Sequence, residues 1–531
     1  MLIIKSNKAQ YEYDIHSLVK AFYPEEEVRV LTPDSVIKDR TLLERPVQMN
    51  LVFEDEKVVF QTGQGKGTEE RKTESVKAEE RKTEPVNVEE RKMEPVDVAE
   101  QETEPEEQKA EREHEYIWHV RPEEQADYKN RFKHFLYTSL QKETGCSLPW
   151  GNLTGIRPTK IPMAMLEEGK SEDEILSFLE TQHLVSREKA ALSLKIAERE
   201  CRILQPLHYE NGYSLYIGIP FCPTTCLYCS FTSFPISAWK ARVADYLSAL
   251  EKEIDYIAEA YRHQILDTIY IGGGTPTSLS AEELDRLLAK LKASFDFTTI
   301  QEFTVEAGRA DSITEEKLRV LYRHGVSRIS VNPQTMKQET LRFIGRQHTV
   351  EQVENAFYMA RDIGFDNINM DIILGLPGET EEDVRNTIEA IRAMEPDSLT
   401  VHSLAVKRAS RLAEWITENG LSTLCNTEET MRIAEMGARG MGMAPYYLYR
   451  QKNMSGNFEN VGYAKEGKYG IYNILIMEEK QTIVALGAGT VTKRVYGDGR
   501  IERCDTVKDV SQYIERIGEM IERKKHLLGD C

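Results

Sequence analysis

No stretch of the chain is long and apolar enough to cross a bilayer, which takes roughly twenty consecutive apolar residues. Residues 1–7 also lack the basic region, apolar run and cleavage site that in series mark a secretory leader. Positive charge is in short supply: 68 Lys and Arg against 88 Asp and Glu leave a net charge of −20. That balance speaks against wrapping a nucleic-acid backbone or an anionic membrane by electrostatics. Together these absences predict a cytoplasmic protein with no membrane span and no nucleic-acid partner. Cysteines number eight in 531 residues, and five of them are scattered, unlike the framework of a small secreted disulfide protein. The other three, Cys222, Cys226 and Cys229, are bunched.

Aromatic residues are missing altogether from 69–115, where a ten-residue unit beginning Glu-Glu-Arg-Lys repeats and then decays. Its 18 acidic and 9 basic side chains leave a net of −9, and its prolines break any helix. So little apolar surface cannot offset the entropy of ordering a chain, so residues 62–115 read as a disordered acidic linker. Ahead of it, residues 1–61 carry short extended patterns around a helical stretch from His16 to Phe22, predicting a small α/β domain. After it, 116–205 is rich in helix formers, with Ile175, Leu176, Phe178 and Leu179 at amphipathic spacing, and reads as a helical region.

From 206 to 405 short β-branched runs alternate with amphipathic helices. Six strands are predicted: 214–219, 268–271, 302–306, 328–332, 367–374 and 398–404. Ser280 and Glu283 form a capping-box signature ahead of Leu284, Leu287, Leu288 and Leu291, and Thr314 and Thr380 look like further N-caps. Such alternation implies a parallel sheet with right-handed crossovers, and six units imply an open barrel, with its chemistry where the strands end. Residues 406–531 remain as a C-terminal α+β domain covering the substrate.

The three bunched cysteines follow the first of these strands as C-x3-C-x2-C. Thiolates are soft ligands for zinc or for an iron–sulfur cluster. Three thiolates on a four-iron cube leave one iron open to a ligand. The competing reading is a structural zinc ion completed by a remote histidine such as His348 or His402.

This spacing, with aromatic Tyr228 before the last cysteine, resembles the radical S-adenosylmethionine superfamily. The longer string Tyr-Ile-x-Ile-Pro-Phe-Cys from Tyr216 to Cys222 resembles the oxygen-independent coproporphyrinogen III oxidase group, and further details most resemble its HemZ-type dehydrogenases. The resemblance spans about 212–500 and implies an α/β fold, an incomplete (β/α)6 radical-SAM barrel. It implies a [4Fe-4S] cluster on Cys222, Cys226 and Cys229 and S-adenosylmethionine beside it. Around that cofactor it places Tyr216, Tyr228, Gly273, Gly274, Thr275, Glu306, Gln334, Arg346, Asp371, Ile373 and Ala405. The glycines of Gly272-Gly273-Gly274 would allow close backbone approach, with exposed N–H groups holding the methionine end. The implied activity is that of an oxidoreductase: hydrogen abstraction and decarboxylation of two propionates of coproporphyrinogen III, giving protoporphyrinogen IX in haem synthesis. Two S-adenosylmethionine molecules would be consumed per turnover, with a flavodoxin or ferredoxin as electron donor. Arg309, Lys407, Arg408 and Arg450 are candidates for the tetra-anionic substrate, since Arg and Lys pair with carboxylates.

Two departures from the family pattern stand out. Phe231 occupies the place of a fourth cysteine two residues after the motif, and Gly218 replaces the histidine of the usual string, which puts a second S-adenosylmethionine in question. Phe231 resembles the related haem chaperones, which carry haem rather than decarboxylate. Their His-Asn-x-x-Tyr-Trp motif is not present, however: residues 468–473 read Lys-Tyr-Gly-Ile-Tyr-Asn. The tyrosines Tyr446, Tyr447 and Tyr449 are expected to cover a flat tetrapyrrole, or else to be core. A haem carrier is thus the second reading, and a radical methyltransferase or haem-degrading enzyme the third.

Overall fold

The computed structural model describes residues 1–35, 45–63, 89–91, 114–209, 211–231, 233–407, 410–419, 424, 426–451 and 457–529, without the side chains of 89–91 and 417. The chain divides into two compact units, Met1–Thr154 with Leu176–Ala190, and Gly155–Ile175 with Ala191–Cys531.

In the first unit six strands form one sheet: β1 (Leu2–Ser6), β2 (Val28–Leu31), β3 (Met49–Phe53), β4 (Lys57–Thr62), β5 (Glu89–Arg91) and β6 (His114–His119), in the order β2-β1-β3-β4-β6-β5. The helix Glu12–Phe22 buries Ile15, Leu18, Val19 and Phe22, the helical repeat of one face. Tyr116 and Trp118 of β6, two residues apart, point into the same core with Phe60, Phe132 and Leu136. This corrects the expected boundaries. Residues 114–119 are not linker or helix but a strand paired antiparallel with β4, and the helix Tyr128–Thr144 packs in the first unit's core. The period-two signal of β6 is six residues long and abuts the charged repeat, so composition masked it. Most of the acidic repeat lies outside the described residues; within it, Glu89–Arg91 pairs with β6.

The second unit carries the six expected parallel strands: β7 (Gly212–Ile219), then, after the short pair β8 (Phe221–Cys222) and β9 (Phe234–Pro235), β10 (Ile265–Gly273), β11 (Glu302–Gly308), β12 (Arg328–Val331), β13 (Ile368–Leu374) and β14 (Ser398–Ser403). Helices cross between them. Ser280 and Glu283 make both bonds of a capping box, with Leu284, Leu287, Leu288 and Leu291 buried behind it, and the Thr314 and Thr380 side chains cap their helices as expected.

The C-terminal residues depart from the expected separate domain. β15 (Ala444–Tyr449) and β16 (Asn460–Ala464) extend the sheet beyond β14. At the other edge β17 (Thr482–Leu486) runs parallel to β7, followed by β18 (Val491–Val495) and β19 (Ile501–Asp505). The result is one eleven-stranded sheet. The six βα units alone would leave the outer edges of β7 and β14 with unpaired N–H and C=O groups, and the C-terminal strands satisfy both. Among the described residues no helix is long and apolar enough to cross a membrane.

One buried charge network ties the C-terminal helix Ile517–Leu528 to this sheet. Lys524 Nζ donates to Glu253 Oε1 at 2.5 Å, with both side chains fully buried. Glu253 Oε2 accepts from Tyr513 Oη at 2.6 Å and from the Gly487 amide at 2.8 Å, just beyond β17. Removing one partner of a buried pair leaves the other charge unpaired, a larger loss than the net contribution of the pair. Lys524→Met is therefore expected to destabilise the unit by about 3–5 kcal/mol. Adding Glu253→Gln should restore part of that loss, read as a partial return of the urea midpoint.

Candidate functional site

β7 ends at Ile219, and the loop carrying Cys222, Cys226 and Cys229 is held by hydrogen bonds to several of its main-chain groups. Ile219 O accepts from the Gly274 amide and Phe221 O from the Thr275 amide, both at 2.7 Å. The Leu227 amide donates to Ile344 O at 2.9 Å, and Leu227 O accepts from the Leu412 amide at 3.0 Å. Thr224 Oγ1 donates to Gly345 O at 3.0 Å, and Arg411 Nη2 to Thr225 O at 2.7 Å. Gly274 is obligatory, since a Cβ there would lie 2.6 Å from Phe221 O.

The thiols are set inward. Cys226 is buried, and Cys222 and Cys229 are half-buried. Burial pushes the Cys222 and Cys229 thiols up, against hydrogen bonding that includes Thr275 Oγ1 to Cys222 Sγ at 3.4 Å. Among the described residues no three His, Cys, Asp or Glu side chains gather as one ion would require. His348 instead faces Asp311, and His402 faces Asp371, each at 3.8 Å. Three soft thiolates on one loop are the donor set that a [4Fe-4S] cluster takes.

The remaining predicted residues lie between the middle of the strands and the loops that follow their C-terminal ends. Glu306 sits near the end of β11 and accepts from Tyr270 Oη at 2.5 Å. Tyr216, Tyr270 and Tyr472 stack beside it with ring centroids 4.5–6.1 Å apart. Burial pushes the Glu306 carboxyl up to about 7, against the Tyr270 hydrogen bond and with repulsion from Asp371. Gln334, just beyond β12, has the left-handed φ of 68°, uncommon for a residue with a side chain. Its main chain bonds Asp371 O and the Ile373 amide, each at 2.9 Å. Arg346 is 5% exposed and donates to Asn332 O at 2.5 Å and to Tyr228 Oη at 3.3 Å. Ile373 is buried and Ala405, just past β14, is half-buried.

Four buried polar atoms here have no partner: Ser330 Oγ, Asn332 Oδ1, Gln334 Oε1 and Arg346 Nε. Each such atom costs on the order of 1–3 kcal/mol if left unsatisfied. Three belong to alternate residues at the end of β12, and the fourth to the arginine that donates to Asn332. A polar, charged ligand would satisfy them, and S-adenosylmethionine carries amino, carboxylate and hydroxyl groups of that kind.

Asp371 accepts from Asn369 Nδ2 at 2.7 Å and faces His402, whose Nδ1 lies 3.3 Å from Tyr449 Oη. Burial alone would raise the Asp371 carboxyl, but hydrogen bonding from His402, Asn369 and Thr400 holds it below its ordinary value. Sequence reasoning missed Tyr270 and Tyr472 at this site and named His402 only as a ligand for zinc. Tyr270 and His402 are polar side chains inside otherwise buried strands, which was the signal available.

Several expectations are corrected. The Gly274 and Thr275 amides bond the cysteine loop and do not face outward as free donors. Arg309 is buried, pairs with Asp311 and reaches Thr224, so it is not available to a substrate carboxylate. Arg450 is buried and donates to Asn457 Oδ1 at 2.7 Å, and burial lowers its guanidinium to about 10. Lys407 is half-buried, and Arg408 lies outside the described residues. Tyr446 and Tyr447 are core; only Tyr449 of the three is partly exposed. Phe231 is 75% exposed beside Cys229. At Gly218 a Cβ would lie 2.5 Å from Thr490 Cγ2, so the usual histidine would have to displace the segment after β17. A cavity of about 500 Å³ opens at the opposite end of the strands, lined by Arg199, Arg202, Gln301, Asn367 and Lys468, and contains none of the predicted residues.

Parallel strands with a three-thiol loop after the first, and polar side chains at the later strand ends, define a cofactor-dependent βα-barrel protein. A family profile described as the radical SAM superfamily matches residues 216–391. The oxygen-independent coproporphyrinogen-III oxidase-like protein HemZ of Bacillus subtilis is 42% identical over 401 residues, covering 75% of this chain and 80% of that one. The heme chaperone HemW of the same organism is 34% identical over 311 residues, covering 58% and 76%. Among solved structures, the coproporphyrinogen III oxidase HemN of Escherichia coli aligns with a TM-score of 0.47 at 21% identity, covering 63% of this chain and 73% of that one. The chain belongs to the radical SAM superfamily, whose cofactors are a [4Fe-4S] cluster and S-adenosylmethionine, and within it to the oxygen-independent coproporphyrinogen-III oxidase-like proteins.

The raised carboxyl of Glu306 has a stability consequence for the cofactor-free protein. The unfolded chain releases that proton near the ordinary glutamate value of about 4.3, the folded chain only near 7. Between those values the folded state binds more protons, so stability falls as pH rises through the window and levels off above it. Glu306→Gln should remove the dependence. Its stability relative to wild type is expected to grow by about 2–3 kcal/mol from about pH 5 to about pH 8 in urea titrations.

Proposed function

We propose that this protein is a radical S-adenosylmethionine oxidoreductase converting coproporphyrinogen III to protoporphyrinogen IX. Each of two propionate side chains would lose one hydrogen atom to the hydrogen-abstracting species, then carbon dioxide and one electron, the electron passing to an external one-electron acceptor, to become a vinyl group. The bound cofactors would supply a one-electron reductive cleavage that generates the hydrogen-abstracting species. Cys222, Cys226 and Cys229 hold the cluster in this reading, while Arg346 takes the carboxylate of S-adenosylmethionine, Glu306 its amino group and Asp371 its ribose. Tyr216, Tyr228, Gly273, Gln334, Ile373 and Ala405 complete that envelope. Gly274 and Thr275 support it from behind through the cysteine loop. A flavodoxin or ferredoxin would deliver the electron.

The observation that carries the proposal is the coincidence of three inward thiols with a set of unpartnered buried polar atoms at the same strand ends. The 42% identity to a protein named as oxidase-like supports the substrate. A haem-carrying role is the second reading, favoured by the exposed Phe231 in place of a cysteine and by the 34% identity to a heme chaperone. Against it, Tyr472 stacks at 4.5 Å on Tyr270 where that family carries its haem motif.

An anaerobic assay of the iron-reconstituted chain with dithionite, S-adenosylmethionine and coproporphyrinogen III separates these readings. Substrate-dependent protoporphyrinogen is expected, with two 5′-deoxyadenosine molecules per product, and Cys226→Ala should abolish cluster absorbance and both products. Cofactor cleavage without decarboxylation, together with tight haem binding, would instead establish the carrier.

A further inference from the structure

Beneath the cysteine loop lies a row of charged side chains that the proposed reaction leaves without a task. Arg309, just after β11, is 3% exposed, and its guanidinium faces two ways. Nε and Nη2 donate to the two carboxylate oxygens of Asp311 at 3.0 and 2.6 Å. Nη1 donates to Thr224 O at 2.9 Å and Thr224 Oγ1 at 2.8 Å, and lies 3.8 Å from Cys226 Sγ. On the far side of Asp311, the fully buried His348 has Nδ1 3.8 Å from Oδ1. The carboxylate thus fixes the plane of the guanidinium, and one edge of that plane is left for the turn that carries the most buried of the three thiols.

A guanidinium does not lose its proton in a protein. Reduction adds one electron, and hence one negative charge, to a cluster and its thiolates. Fixed positive charge and N–H donors beside a ligating sulfur stabilise that state, most strongly where water is excluded. Cys222 accepts a hydroxyl hydrogen bond from Thr275, and the Cys226 sulfur has the permanent cation of Arg309 3.8 Å away, with Arg346 as a second cationic neighbour. We propose that Arg309, oriented by Asp311, raises the reduction potential of the cluster by acting on Cys226. This rests on the reading of Cys222, Cys226 and Cys229 as the cluster ligands. Asp311 sits on the guanidinium edge away from the sulfur, so the ion pair presents its positive end to the loop while limiting the charge delivered there.

The test is a potentiometric titration of the reconstituted full chain, without S-adenosylmethionine, following the reduced cluster by electron paramagnetic resonance. Arg309→Met is expected to lower the potential. Poised at the wild-type midpoint, its ratio of reduced to oxidised cluster should fall about tenfold, equivalent to about 59 mV for one electron. Arg309→Lys, which retains the charge, should recover most of the shift, which a merely structural role would not require. Asp311→Asn, which frees the guanidinium of its counter-charge, should move the potential upward. An Arg309→Met chain with full iron content and an unchanged midpoint overturns the proposal. Should that variant fail to hold iron, an unchanged or lowered midpoint in Asp311→Asn overturns it instead. Cys226→Ala distinguishes failure of the underlying assignment: retention of the wild-type cluster spectrum there would sink the ligand reading itself.

Discussion

Everything at this site depends on holding a loop with three inward thiols by hydrogen bonds to its main chain. Such a turn has no regular hydrogen-bond ladder of its own. The structure supplies one from outside, through the amides after β10, the carbonyls of Ile344 and Gly345, the amide of Leu412 and the side chains of Arg309 and Arg411. These donors and acceptors come from four separate stretches of the second unit, so the loop is fixed only once the sheet has closed around it. The Gly272-Gly273-Gly274 turn serves this purpose first. Its closeness to the loop, with no room for a Cβ at Gly274, spends two amides on the protein itself.

The same economy governs the edges of the sheet. Six parallel strands would expose two long edges, and the C-terminal residues cover both, two strands beyond β14 and three beyond β7. The segment after β17 then brings Thr490 against Gly218, where a Cβ would have to displace it. A departure from the family pattern at the start of the chemistry-bearing segment thereby has its cause nearly three hundred residues later. It reflects packing at the sheet edge, and the Lys524–Glu253 network anchors the same region from behind.

Much of this was legible in the sequence because the informative signals are local. The six barrel strands emerged within a few residues of their observed bounds, since β-branched runs and the caps at Ser280, Thr314 and Thr380 are short-range features. The cysteine spacing was legible for the same reason. Long-range pairing was not. Nothing in residues 114–119 says that they return to β4 across the acidic repeat, and nothing in 482–486 says that the strand lies beside β7. The tyrosines near 446 show the limit of composition: the residue type suited to covering a planar ligand is equally suited to a core, and two of the three are core.

The arginines show the limit most clearly, and also what the structure adds. By residue type Arg309, Arg346 and Arg450 are interchangeable as carboxylate partners, yet all three are buried, where an unpaired cation is too costly to persist. Their partners separate them. Arg309 is held by the carboxylate of Asp311 and Arg450 donates to Asn457, whereas Arg346 donates to a carbonyl and a phenol; the last two each keep an unpartnered Nε. Of Arg309 and Arg346, the guanidinium with no carboxylate of its own within ion-pair distance among the described residues is Arg346. That deficit is the physical ground for assigning it an anionic ligand and assigning Arg309 to the loop. Sequence supplied the candidates, and only the balance of buried charge could divide the tasks among them.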